Sequence, residues 1–408
     1  MKKISEFSKK FYQIDEASLQ SSHNKLKLVA NRSAFLKILN SVIDGIPAKS
    51  ADPNYMNFLI TINDEEKTIL ASDGAITIIH SLANDENPVL KSYEPGTIEI
   101  PARHFVSIIS KLEGEEVILT QIENSFLNIT DNYSNFNIKC SRGEEFPQLD
   151  IHFTSSHTFE IDGNDFLNLY NSTAFAVATR GPKKHFYGVK IGVNNNILEF
   201  VATDSYRLAQ RKVAVENNEK FYFIAPVKAL SLVAKYCEGK KVLISEDNNL
   251  ASFKVDNLTV ISRLYVGEFP NIDRIIPVST PFVLNVDSKI FLNALDRVAT
   301  ILDAGKGQCV VLKCNEDGAE LFARSEQVGN SADPLAGAEF EGNQFEISFN
   351  YSYVNDAIKA LNSEKIHLCF ASEGTAFLVK NDDPNNIQIV TPLRSSACLL
   401  YTSPSPRD

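Results

Sequence analysis

The sequence predicts an α+β protein made of three copies of one module, each copy two helices packed on antiparallel β-sheet. Three observations predict it. At 408 residues the chain is too long for one ordinary core and suits two or three domains. Apolar residues at helical spacing come in pairs, with strand-like alternation between them. The pairs return in the same order at offsets of roughly 120–130 residues, the size of a compact domain.

The first helix of each copy lies in LVANRSAFLKILNSVID (28–44), FEIDGNDFLNLYNSTAFAVA (159–178) and FVLNVDSKIFLNALDRVATI (282–301). Each stretch begins with alternation, meets an Asn, Asp or Ser suited to an N-cap, and continues at helical spacing. In the third, Ile290, Leu292, Leu295, Val298 and Ile301 form one stripe that leaves Lys289 and Arg297 elsewhere on the helix. The second helices follow strands in IEIPARHFVSIISKLEG (98–114), FYFIAPVKALSLVAKYCEG (221–239) and FEISFNYSYVNDAIKALNS (345–363). Between them run short β-rich segments bounded by turn residues, such as TILASDGAITIIHSL and NILEFVATDSYRLAQRKV. Two copies also close alike, SRGEEFPQLD (141–150) beside SRLYVGEFPNID (262–273).

Composition sets the class: 44% apolar and 22% charged residues are the balance of a folded protein. No apolar run is long enough to span a bilayer, and the N-terminal stretch lacks the apolar core of a signal peptide, so a cytoplasmic protein without membrane contact is expected. Six scattered cysteines without a CxxC pair and seven histidines without ligand spacing point to reduced thiols, no metal and no cofactor. A net charge of −11 argues against a surface that coats nucleic acid all over, but leaves room for a basic strip.

The segment FVATDSYRLAQR (200–211) holds the densest group of chemically capable residues. Thr203, Asp204 and Tyr206 could serve as a nucleophile and its helpers, and an enzyme built on them is one reading. No histidine accompanies them, and neighbours on a strand point to opposite faces. A hairpin corner is the reading preferred: Asp204 and Ser205 turn the chain, and Arg207 pairs or projects. The nucleotide motifs GxxxxGK[ST] and GxGxxG are absent, as is GxSxG. Cations recur on the helices and their edges (Arg32, Lys37, Arg103, Lys111, Lys228, Lys235, Lys289, Arg297, Lys359), and TRGPKKH adds Arg180, Lys183 and Lys184. One positive face in each module would suit weak, salt-sensitive, sequence-indifferent contact with phosphates.

Taken together, VATDSYRLA (201–209), EFPNIDRIIP (268–277), FNYSYVNDAIKAL (349–361), PARHF (101–105) and IVTPLR (389–394) resemble the bacterial sliding clamp, the beta subunit of DNA polymerase III. The resemblance spans residues 27–394 and includes the threefold repeat. It implies the DNA clamp fold, with clamp domain I at 27–150, domain II at 151–279 and domain III at 280–394. Residues 1–26 are then an N-terminal extension and 395–408 a non-native tail. It further implies a non-catalytic processivity factor in which two protomers form a ring that encircles double-stranded DNA without regard to sequence. The ring would tether the replicative polymerase alpha subunit and other proteins carrying a clamp-binding motif, and an ATP-dependent clamp loader would load it. A repeat scaffold that binds only proteins is the alternative.

By the same resemblance, a peptide groove is built from Phe186, Thr203, Ser205, Tyr206, Arg207, Leu208, Pro270, Arg274 and Ile275, flanked by Tyr353 and closed by Ile389, Val390, Thr391, Pro392, Leu393 and Arg394. DNA contacts fall on Lys49, Arg180, Lys183 and Lys184, and the dimer interface on Phe136 and Ile138 against Ile301 and Leu302. Ser205 stands where the family usually has glycine and Tyr206 where histidine is frequent, departures expected to affect which clients fit. The tail SSACLLYTSPSPRD (395–408) does not continue the pattern; were it native, its LLY could fold back into the groove.

Overall fold

The computed structural model describes residues 25–83, 89–122, 125–149, 151, 156–247, 249–302 and 308–393. Residues 1–24, Arg394 and the tail 395–408 lie outside the described residues. The chain divides into two compact units, one formed by residues 1–160 with 235–263 and the other by 161–234 with 264–408.

Six α-helices occur among the described residues: α1 (Arg32–Val42), α2 (Ala102–Lys111), α3 (Gly163–Thr173), α4 (Val227–Ala234), α5 (Ser288–Ala299) and α6 (Tyr351–Leu361). They fall inside the six stretches that periodicity selects. Four have side-chain caps, three of them at the first helix of a copy, where a cap is expected. Asn31 accepts from the Ala34 amide, Asp162 from Asn164, Asp287 from Lys289 and Ile290, and Asn350 from Ser352 and Tyr353. Each cap gives the otherwise unsatisfied amides of a first helical turn a partner. On α5 the buried stripe is Phe291, Ala294, Leu295 and Val298. Ile290 and Leu292, assigned to the stripe from sequence, flank it and are only half-buried.

In the first unit α1 packs against α2. A five-stranded antiparallel sheet ends at Asn135–Lys139. A second sheet runs through Gly96–Pro101, Asn57–Ile62, Lys67–Ser72 and Ile76–Ser81 into Leu258–Arg263, Leu250–Val255 and Lys241–Asp247. The last three strands come from the second repeat. A buried carboxylate ties α2 to its sheet: Asp131 accepts from the amides of Glu113 (2.8 Å), Gly114 (2.9 Å), Tyr133 (3.1 Å) and Ser134 (2.8 Å). Burial pushes its pKa up, but the four amide donors outweigh burial and hold it below the ordinary aspartate value.

In the second unit α3 packs against α4 and α6, and α5 against α6. A nine-stranded sheet includes the order Gly188–Asn194, Ile197–Thr203, Arg207–Ala214, Asn386–Val390 and Phe377–Lys380. A four-stranded sheet ends at Gly329–Pro334, which packs against α5. Cys140, Cys237, Cys314 and Cys369 are buried and not disulfide-bonded, as expected, whereas Cys309 is disulfide-bonded, which the scattered spacing did not suggest.

Candidate functional site

Strand Ile197–Thr203 leads into Arg207–Ala214 through a corner held almost wholly by local hydrogen bonds. The Thr203 hydroxyl donates to the Arg207 carbonyl (2.7 Å) and accepts from the Ser205 amide (3.1 Å). Asp204 Oδ1 accepts from the amides of Tyr206 (2.9 Å) and Arg207 (3.0 Å). Ser205 takes φ +80°, a left-handed conformation that glycine adopts more readily than serine. Thr203 and Asp204 are thus occupied as turn-formers, and Arg207 pairs rather than projects.

The Arg207 side chain organises what surrounds the corner. Its Nε donates to Asp204 Oδ2 (3.1 Å) and its Nη1 to Asp356 Oδ2 (2.7 Å). The guanidinium lies 4.8 Å from the ring centre of Tyr353 and 5.3 Å from that of Phe175. Tyr206, 61% exposed, stacks on Tyr353 at 6.5 Å and 23°. Burial pushes the Tyr353 phenol up, Asp204 adds to the shift, and Arg207 and Arg180 oppose it.

A depression of about 800 Å³ opens at this corner. Its walls are the segment 177–183 with Phe186, the corner residues 204–207, and Tyr353. Phe186 is buried against Phe269 (5.7 Å between rings), and Lys183 Nζ lies 5.2 Å from the Phe186 ring centre.

Beneath the corner is an apolar cluster of Val201, Leu208, Ile272, Cys369, Leu378 and Ile389. Strand Asn386–Val390 pairs with Arg207–Ala214, Val390 opposite Arg207 and Ile389 opposite Leu208. Beyond it the Thr391 amide and hydroxyl both donate to the Tyr206 carbonyl (2.9 and 2.8 Å), and the Leu393 amide donates to the Ser348 carbonyl (2.7 Å).

Of the predicted groove residues, Phe186, Ser205, Tyr206, Arg207 and Tyr353 surround the depression. Thr203, Leu208, Ile389 and Val390 are buried as its supports. Thr391, Pro392 and Leu393 are half-buried and tied in beside it. Pro270 instead lines a separate depression with Lys190, Ile197 and Tyr222, Arg274 is exposed, and Ile275 is more than a third exposed. Of the residues expected to touch DNA, Lys49, Arg180, Lys183 and Lys184 are all exposed, and Arg180 and Lys183 also line the depression. Phe136 and Ile138 lie on the edge strand Asn135–Lys139 of the first unit, and Ile301 and Leu302 follow α5 in the second. Sequence reasoning did not assign Phe175, Asp356 or the lining segment 177–179 to the site, although Asp356 lies within the stretch FNYSYVNDAIKAL.

The first unit holds a second copy of the corner. Ser72 Oγ donates to the Ile76 carbonyl (3.2 Å) and accepts from Gly74 N (3.1 Å), and Asp73 Oδ1 accepts from Ala75 N (3.0 Å) and Ile76 N (2.8 Å). Gly74 takes φ +85° where the second unit has Ser205. The Arg263 amide donates to the Ala75 carbonyl (3.0 Å), as Thr391 does to Tyr206. The copies differ in what lies over them: the Tyr55 hydroxyl sits 3.2 Å from where a Cβ on Gly74 would be, covering the first corner.

The repeat is more than geometric. Family models of the DNA polymerase III beta subunit match along the chain, the N-terminal domain at residues 26–150, the central domain at 160–271 and the C-terminal domain at 273–394. The chain belongs to the DNA polymerase III beta subunit family. Beta sliding clamps of Staphylococcus epidermidis and Staphylococcus aureus are each 28% identical to it over 376 residues, 91% of this chain and 100% of theirs. The crystal structure of the DNA polymerase sliding clamp from Bacillus subtilis is similar at TM-score 0.85 and 25% identity, covering 91% of this chain and 100% of that one. The beta chain from Streptococcus pneumoniae is similar at TM-score 0.85 and 26% identity, covering 90% and 100%. This beta subunit therefore has the three-domain clamp fold, with helix pairs on antiparallel sheets, and is a processivity factor rather than a catalytic subunit.

Proposed function

We propose that two copies of this chain close into a ring around duplex DNA and that clients dock by a short apolar peptide at the open corner of the second unit. The observation that carries the docking site is the contrast between the two corners: the same hydrogen-bonded turn is covered by Tyr55 in one and opens into a depression in the other. Apolar walls with a few fixed polar groups are what a linear peptide needs for affinity and orientation. The replicative polymerase alpha subunit, the clamp loader and other motif-bearing proteins are the clients, and the reading places the protein in the cytoplasm. It takes 27–150, 151–279 and 280–394 as the clamp domains. Lys49, Arg180, Lys183 and Lys184, all exposed cations, are the proposed DNA contacts.

Ring closure is supported by a strand pairing that each unit repeats. Ile76–Ser81 pairs with Leu258–Arg263, and Arg207–Ala214 with Asn386–Val390. The equivalent strands left over, Gly329–Pro334 of the third repeat and Asn135–Lys139 of the first, each end their sheets. Pairing these between protomers repeats the step head to tail and brings Phe136 and Ile138 of one copy to Ile301 and Leu302 of the other. The test of docking is binding of a labelled leucine- and phenylalanine-bearing peptide. Tyr206→Ala should weaken it, and unchanged affinity would remove the corner from the account.

A further inference from the structure

We propose that Tyr55 is a built-in occupant of the first unit's corner, standing where a client anchors in the second unit, and that it restricts each chain to one client. The proposal rests on the docking site of the second unit and concerns the corner that this site leaves unused.

Equivalent residues frame the two corners. Tyr55 is the third residue of the single-turn helix Pro53–Met56, which runs into strand Asn57–Ile62, and Phe186 is the third residue of Lys184–Tyr187, which runs into Gly188–Asn194. Each ring stands edge-on against the phenylalanine of an EFP sequence, Tyr55 on Phe146 (6.2 Å, 87°) and Phe186 on Phe269 (5.7 Å, 75°). The difference is where the ring ends. Tyr55 Oη and Cζ lie 3.2 and 3.3 Å from the position of a Cβ on Gly74, so the phenol covers the tip of the first corner. At the second, Phe186 has no hydroxyl and borders the open depression, and the tip carries Ser205 in place of glycine. The two turns are fixed differently as well. Asp52 Oδ1 accepts from the Asn54 amide (3.0 Å), and Asn54 Nδ2 donates to the Glu145 carbonyl (3.0 Å), which pins the turn bearing Tyr55 to the segment before Phe146. The turn bearing Phe186 has no side-chain cap. A ring held in this way fills the space that a peptide's apolar side chain needs, and because it belongs to the chain it competes at high effective concentration. Beneath the tip the first corner is less apolar than the second: Thr77 faces Ser72 where Leu208 faces Thr203. Once opened, it should hold the same peptide about tenfold more weakly.

The experiment titrates the full chain with a fluorescent leucine- and phenylalanine-bearing peptide and counts the peptides bound per chain. The parent should bind one. Tyr55→Ala should bind two, the second about tenfold more weakly, and adding Tyr206→Ala should weaken the tighter site while leaving the other as it is. The exchange Tyr55→Phe/Gly74→Ser gives the first corner the pair found at the second and keeps a ring against Phe146. It should also bind two, and it is read instead if Tyr55→Ala melts well below the parent. One peptide per folded chain in the variant that is read, or two in the parent, overturns the inference. No binding by the parent would sink the docking site of the second unit and the inference with it, a result distinct from one peptide in parent and variant alike.

Discussion

Replacing Arg207 by glutamine removes the group that holds the corner, Tyr353 and α6 together, and the structure sets the size of the effect. Arg207 and Asp204 have side chains 13% exposed, so their bond is a partly buried, charge-assisted one, worth about 1.5–2 kcal/mol. Asp356 is 38% exposed, and solvent screening limits that pair to below about 1 kcal/mol. The two ring contacts add roughly 0.5 kcal/mol each. Asp204 keeps its two amide donors, so it is not left wholly unpartnered. The sum is about 3 kcal/mol, and at about 2–4 °C per kcal/mol for a unit of this size the second unit's transition should fall by roughly 6–12 °C. Calorimetry on the full chain reads this directly, with the first unit's transition as internal control. Peptide affinity should fall as well, because Tyr353 and Tyr206 lose their support. Arg207→Lys, which keeps the charge but not the fork, should recover less than half of either loss. A shift below about 2 °C with unaltered peptide binding would show that Arg207 does not organise the corner.

Three further outcomes follow from particular residues. Ser205→Gly relieves a left-handed serine but frees the unfolded chain, so stability should change by less than about 1 kcal/mol, whereas Ser205→Val should lose more than about 1 kcal/mol in denaturant titration. Asp131→Asn should cost the first unit about 2–4 kcal/mol at neutral pH, since the two amides that share one carboxylate oxygen, such as those of Glu113 and Gly114, lose their acceptor. Asp131 has its folded pKa depressed, so its contribution is present above the unfolded value near pH 4 and is lost as pH falls through the folded one; the gap between variant and parent should close in acid melts. Pro392→Ala should weaken peptide binding in anisotropy titrations by several-fold and leave the melting temperature within about 2 °C, because Pro392 is half-buried beside the corner rather than in its core.

Much of this was legible because it is local. Helix positions follow from apolar spacing and, for the first helix of each copy, from Asn31, Asp162 and Asp287 as caps, and the turn at 203–207 from the hydrogen-bonding habits of Thr and Asp. The α5 stripe was misplaced because Phe291 and Ala294 alternate with Ile290 and Leu292, and a period of 3.6 leaves such neighbours ambiguous until a partner surface is present. What was not legible depends on residues far apart in the chain. Asp356 reaches Arg207 across 149 positions, and although both lie in quoted motifs nothing in either shows that the two pair. Tyr55 covers one copy of the corner while a depression lined by Phe186 and Tyr353 opens at the other, a difference of packing that the parallel sequences ASDGAI and ATDSYR do not reveal. Likewise Lys235 and Arg297, read from sequence as part of a positive face, are engaged with Asp44 and Asp333.

The measurement that bears most directly on the whole account is retention on a nicked circular duplex after loading. A closed ring held by topology should stay on the circle through a high-salt wash and leave when one cut linearises it. Loss at the same rate from circular and linear DNA would contradict the ring, whatever the corner binds.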